Sequence, residues 1–263
     1  MLAAALAAAT VVVAVVAVGI GPVAIPPGTV ARIIAGELGL GPAEVSTTSD
    51  RSIVWMIRVP RVLLGLFVGA ALAVAGVVIQ ALVRNPLADP YLLGISSGAS
   101  TGAAASILFG IGGSLGAIAL TGSAFVGALL AIVLVLSIAR IGGRLVTSRL
   151  VFAGIAVGFA LTALTNFLVF AGQSRDGARA VMFWMLGSLA QARWASVPLL
   201  AILVTAAFIV FSVWARRFDA LAIGDDTAHA LGTHPTRFRA GAAHSIAGTD
   251  SWRYSQAAVK GLG

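Results

Sequence analysis

Three groups of residues have types and spacings that suit chemistry. Asp225, His229 and His234 place one carboxylate and two imidazoles close together, with Asp225 and His229 an i, i+4 pair. Such donors can bind a metal, but spacing this loose is common and no partner that would orient either imidazole is evident, so no metal site is assigned. Thr162, Thr165 and Asn166 fall at i, i+3, i+4 in an otherwise apolar run, on the face continued by Gly154 and Gly158. Uncharged polar groups in lipid must face a neighbouring helix or a water-filled path, and spacing alone leaves both open. Arg58 and Arg61 flank Pro60 at the head of a long apolar run, where interfacial anchoring by snorkelling is the plain role. GIGPVA at Gly19–Ala24 matches GxGxxA, yet it follows no strand and contains a proline, so it reads as a helix exit and not a dinucleotide loop.

These groups sit in or beside membrane spans. Of 263 residues, 59% are hydrophobic and 10% charged, and the mean hydropathy is +1.03. Soluble domains carry about 25% charged residues. Cysteine is absent, so there is neither a disulfide framework nor a thiolate metal site. The net charge of +8 is spread as single or paired arginines between apolar runs, a membrane-topology pattern that argues against nucleic acid. Six spans are read near residues 2–20, 62–83, 92–110, 115–139, 150–172 and 195–214, giving an all-α polytopic membrane protein. The first lacks a basic n-region and is long enough to cross, so it is taken as a transmembrane helix and not a cleaved signal. Between the first two spans, Val30, Ile33, Ile34 and Leu38 predict a short amphipathic helix at the interface.

Small residues predict how the spans pack. Gly94, Gly98, Gly102, Ser106 and Gly110 recur at every fourth position, Gly65 and Gly69 repeat the spacing, and so do Gly154 and Gly158. In lipid such stripes mark close helix contacts. None of the six spans contains Asp, Glu, His, Lys or Arg, which disfavours proton-coupled carriers and membrane proteases. No GxxxxGK[ST] is present, so nucleotide phosphates have no cradle on this chain. With the N-terminus inside, Arg84, Arg140, Arg144, Arg149, Arg216, Arg217, Arg237 and Arg239 lie on inner loops, eight against seven outside. Glu37, Glu44, Asp50 and Asp176 accompany the outer arginines, so the balance tips narrowly to N-inside.

Within Arg216–Arg239, Asp225 is placed to cap a short helix, Asp226 to sit in its first turn and Gly232 to end it, and Pro235 to begin another short helix. Leu221, Ala222, Ala228, Ala230 and Leu231 offer an apolar contact surface, rimmed by Asp225, Asp226 and His229. The tail from residue 241 holds Asp250, Arg253 and Lys260. Each costs about 2.5–3.5 kcal/mol near the bilayer centre, against about 0.3–0.6 gained per Ile, Val or Leu. The tail is therefore expected to be polar and disordered, not a helix in lipid. Trp184 and Trp194 are expected to act as interfacial belt residues.

RVPR at Arg58–Arg61, the Gly/Ala-rich run ending in Gln80-Ala81-Leu82, and NPLADPYLLGISSGAS from Asn85 to Ser100 resemble the FecCD-type permease subunits of ABC importers for iron-siderophores, haem and cobalamin. MFWMLGSLAQARW at Met182–Trp194 and LAIGDDTAHALG at Leu221–Gly232 are similar to further segments of that family. The resemblance implies the type II importer permease fold in the bacterial cytoplasmic (inner) membrane. It implies no covalent chemistry on substrate and no cofactor on this chain. It also implies ABC ATPase subunits, an extracytoplasmic substrate-binding protein, and a second permease, identical or paralogous, as partners. Carried onto this sequence, it makes Gly158, Thr162, Thr165 and Asn166 candidates for the translocation path, and Arg58 and Arg61 candidates for docking the binding protein. Leu221, Gly224, Asp225, Asp226, Ala228, Leu231 and Gly232 become candidates for contact with the ATPase. The resemblance is expected to stop near residue 240, with about six helices retained, so a truncated non-transporting remnant or assembly partner is the alternative reading.

Overall fold

The computed structural model describes residues 1–41, 47–111, 117–141, 144–172 and 174–255. Among these residues the regular elements are helices, apart from two short strands, β1 (Arg140–Ile141) and β2 (Arg144–Leu145), paired antiparallel. Among the described residues, five helices are long and apolar enough to cross a bilayer: Leu2–Gly19, Thr48–Val83, Ala119–Ala139, Thr147–Ala171 and Trp194–Val213. Phe152, Phe159 and Phe170 stand exposed along one of them, the last 88% exposed, as a lipid-facing surface allows and an aqueous one does not. The chain divides into two compact units, Met1–Gly69 with Leu189–Ala201 and Ala70–Ser188 with Ile202–Gly263.

The first unit contains α1 (Leu2–Gly19), α2 (Pro27–Glu37), α3 (Thr48–Arg51) and the start of α4 (Val59–Val83). Pro27 opens α2 at the first helical position, where its missing N–H costs nothing. The amphipathic face predicted for α2 is present in part: Val30 and Ile33 are buried with Val18, Ile25 and Val54, while Leu38 lies outside the cluster and exposed. The second span is longer than the sequence suggested. Helix runs without a break from Thr48, through a π-helical turn at Ser52–Arg58, into α4. The wide turn just before Pro60 accommodates a residue that has no N–H to give and a ring that crowds the preceding turn.

The second unit is built around α5 (Ile95–Phe109), packed between α6 (Ala117–Ala139) and α7 (Thr147–Ala171). A methyl group on Gly98 would strike the backbone of Gly127, and one on Gly127 the backbone of Gly98, so these helices meet main chain to main chain. Gly102 meets Ser123 in the same way, and Gly154 of α7 meets the carbonyl of Leu92. Gly69 and Gly110 have open space around them, so the small-residue pattern over-predicted contact there. The expected span at 92–110 is shorter than read. A 3-10 turn at Pro90–Leu93 comes first, Gly94 turns left-handed, and α5 has 15 residues. At 1.5 Å per residue it reaches about 22 Å, short of an apolar layer about 30 Å thick.

α8 (Arg175–Leu186) and α9 (Val197–Val213) follow, and α9 crosses the boundary between the units. Then come α10 (Ala215–Ile223), α11 (Asp225–Ala230) and α12 (Pro235–Ser255). α12 corrects the expectation of a disordered tail from residue 241. It packs on α6 and buries Phe238, Ala242, Ala243 and Ile246 in the core of this unit. The error came from weighing charge over the whole segment: a one-sided helix needs only one apolar stripe, and His244 and Gly241 lie on the exposed side. Residues 256–263 of that tail lie outside the described residues.

Candidate translocation and coupling sites

The α5–α7 contact separates the two readings left open for the polar trio. Thr165 is 1% exposed, and its Oγ1 lies 2.8 Å from Oγ1 of Thr101 on α5 and 2.9 Å from the carbonyl oxygen of Leu161. Thr101 lies in turn 3.0 Å from the Leu161 oxygen and 2.9 Å from that of Ser97. Thr165 is thus consumed as an interhelical hydrogen bond, which corrects its place among path-lining candidates. Thr162 and Asn166 are exposed; Thr162 donates to Gly158 O at 2.8 Å or shares a proton with Ser97 at 3.2 Å. Gly158 itself faces Gly94 and Ser97. Ser97 and Thr101, i, i+4 on α5, were missed from sequence; they meet Thr162 and Thr165, which are i, i+3 on α7.

The two arginines around Pro60 part company. Arg58 is 7% exposed, and Nη1 donates to the carbonyls of Val18 (3.2 Å) and Gly19 (2.9 Å) while Nη2 donates to Val23. Val18 and Gly19 end α1, where the last carbonyls lack helical partners and the dipole is negative. Arg58 is therefore a buried cap on α1 and is withdrawn from the docking candidates. Arg61 is exposed, with Nη2 donating to Ala190 O at 3.2 Å. In the same unit Trp194 Nε1 donates to Trp55 O at 2.7 Å, and the two indole rings lie 4.7 Å apart. Trp184, expected at the interface, is buried in the second unit's core instead.

At the other end of the chain, Gly232 ends α11 as predicted. Its φ is +76°, its N–H donates to His229 O at 3.0 Å, and Thr233 N donates to Ala228 O at 2.8 Å. That pair of bonds is a Schellman motif, which turns the chain sharply toward α12. Asp225 does not cap α11; Gly224 holds the cap position, and Asp225 is turned onto Arg239. Leu221 and Ala228 are fully buried in the chain's own core, which removes them from the contact surface proposed for a partner. Ala222, Ile223, Asp226, His229, Ala230, Leu231 and Gly232 remain exposed. His229 and His234 rings are 5.6 Å apart, edge to face, and among the described residues no group of three metal-binding side chains occurs.

The feature that sequence reading missed is Arg239. Counted there only as one more inner-loop charge, it is 1% exposed and bidentate on Asp225, Nη2 to Oδ1 at 2.7 Å and Nη1 to Oδ2 at 3.0 Å. Its Nε donates to Leu82 O at 3.4 Å, and Arg84 Nη2 lies 3.5 Å from the same carboxylate. Hydropathy treats arginine as a solvent group, so a buried fork of this kind has no signature in a window average.

Several helices of bilayer length in one chain define a polytopic membrane protein. A solved chain described as an inward-facing metal-chelate type ABC transporter superposes with a TM-score of 0.74 at 23% identity, covering 96% of this chain and 73% of that one. The sequence model of the FecCD transport family matches residues 9–249, and the chain belongs to that family. The match runs past residue 240, where the resemblance was expected to stop, and takes in the buried stripe of α12. The vitamin B12 import system permease protein BtuC of Escherichia coli O17:K52:H18 is 40% identical over 200 residues, 76% of this chain and 60% of the relative. The cobalamin import system permease protein BtuC of Halobacterium salinarum is 40% identical over 185 residues, 70% of this chain and 49% of the relative. The chain thus spans about half to three fifths of the curated relatives it matches.

Proposed function

We propose that this chain is a permease subunit of an ATP-driven importer in the bacterial cytoplasmic membrane, and that its substrate is a corrinoid of the cobalamin type. Both curated relatives described above carry cobalamin or vitamin B12 in their names, which supports a corrinoid over a ferric siderophore or haem. Two ATPase subunits dock on α10–α11, a second permease completes the path, and an extracytoplasmic binding protein delivers substrate, with Arg61 as the docking charge on this chain.

The observation that carries the reading is the state of α10–α11. Ile223, Asp226, His229 and Leu231 are exposed, while Asp225 is fixed to a buried arginine beneath them. A loop that only connects two spans needs no such anchor; a loop that bears load against a partner does. Thr162 and Asn166 supply the polar surface along which a hydrophilic solute can pass. The test is uptake of labelled cobalamin into proteoliposomes holding the permease with its ATPase and binding protein. ATP-dependent uptake is expected, and Thr162→Leu with Asn166→Leu should reduce it severalfold without loss of assembly. Uptake driven by an ion gradient without ATP, or failure to co-purify with any ATPase, would overturn the reading.

A further inference from the structure

We propose that Asp225 is a positioning residue that clamps α11 to the end of α4, so that a displacement of α11 is handed through Arg239 and Arg84 into the turn leading to α5 and α7. The proposal rests on the preceding reading of α10–α11 as the ATPase-facing element. One carboxylate joins three segments. It opens α11, it receives both terminal nitrogens of Arg239 from α12, and it lies 3.5 Å from Arg84 just beyond α4. Arg239 adds a bond to Leu82, the penultimate residue of α4. α11 has only six residues, too few to hold a helical shape or a fixed position unaided.

From Arg84 onward the connection contains no slack. Arg84 sits at φ +53°, the sole non-glycine left-handed residue among those described, a conformation that persists only where its surroundings impose it. Asn85 Oδ1 then accepts from Leu87 N at 2.9 Å, and Asp89 Oδ1 accepts from Tyr91 N at 2.7 Å, so both side chains lock the turn. Leu92 delivers its carbonyl against Gly154 of α7, and Gly94 rests on Gly158, one turn from Thr162. Main-chain contact at these glycines leaves no compressible side chain to absorb a shift. A contact chain of this kind transmits only if its members move together, which is what the test must measure.

The chain has no cysteine, so spin labels at Leu87→Cys and Asp226→Cys, both exposed, report one distance across the clamp. In the assembled transporter in proteoliposomes, Asp225→Asn keeps the shape and removes the charge. It should broaden that distance distribution and lower substrate moved per ATP hydrolysed by about five- to tenfold. Asp225→Glu should restore most of both, and Arg239→Lys, which cannot bridge two oxygens, should fall between. A distribution as narrow in Asp225→Asn as in the parent, or an unchanged ratio of transport to hydrolysis, overturns the proposal. Should Asp225→Asn fail to assemble, Arg239→Lys decides: an unchanged distance refutes the clamp. The distance needs no transport to be read, so a parent chain that shows no ATP-driven uptake sinks the functional reading while the clamp is still judged on geometry.

Discussion

Arg58 and Arg239 are both withdrawn from water, yet their surroundings share almost nothing. Arg58 faces carbonyls only: two ending α1 and a third from Val23. Arg239 faces a carboxylate in two-point geometry and one carbonyl, with a second arginine sharing the same anion. The difference lies in what each side loses if the partner goes. At α1 the guanidinium completes orphan carbonyls at a negative helix end, and several dipoles share the charge. At α11 a single anion balances the charge, so removing it strands a cation 1% exposed. The first arrangement finishes a helix; the second ties three segments through one residue and is the more brittle.

The largest effect should follow from Asp225→Ala, which leaves Arg239 buried without its counterion. Breaking a buried pair costs about 3–5 kcal/mol, and the 30% exposure of Asp225 puts this case at the low end. Unfolding by SDS titration in mixed micelles measures it; a loss no larger than that of the Arg58 variant would erase the contrast drawn above. Arg58→Met comes second. It keeps the apolar stem and strands carbonyls at the end of α1, for a loss of about 1–3 kcal/mol, and cysteine accessibility at Gly19 should rise with it. If accessibility stays constant, the cap is not what holds α1. The smallest effect is expected from Thr165→Val, in which no charge is exposed or stranded. Hydrogen bonds between helices in lipid average about 0.6 kcal/mol, and uptake should survive; a large loss of uptake with normal stability would return Thr165 to the path.

How far these sites were legible differs residue by residue. Gly232 was readable because a left-handed helix end is a local event and favours glycine whatever packs above it. Gly98 and Gly102 were readable as a contact stripe, though which helix they would meet was not. Thr165 and Thr162 have the same chemistry and adjacent positions in the pattern, and only the approach of Thr101 and Ser97 from α5 sets one to bonding and leaves the other exposed. Asp225 was misjudged as a cap because its preference for that position is real, but the bidentate arginine is the stronger partner. The tail was misjudged because charge was weighed over the whole segment and not around the helix.

The class of protein follows from local properties that need no neighbours to be expressed: apolar runs of bilayer length, small residues at every fourth position, and a glycine placed to end a helix at Gly232. Tertiary structure alone decided which arginines are buried, which hydroxyl of a pair is consumed, and which face of α10–α11 remains outward. Those outcomes depend on atoms far apart in the chain meeting within 3 Å or so, and a guanidinium carries the same letter whether it meets water, a helix end or a carboxylate.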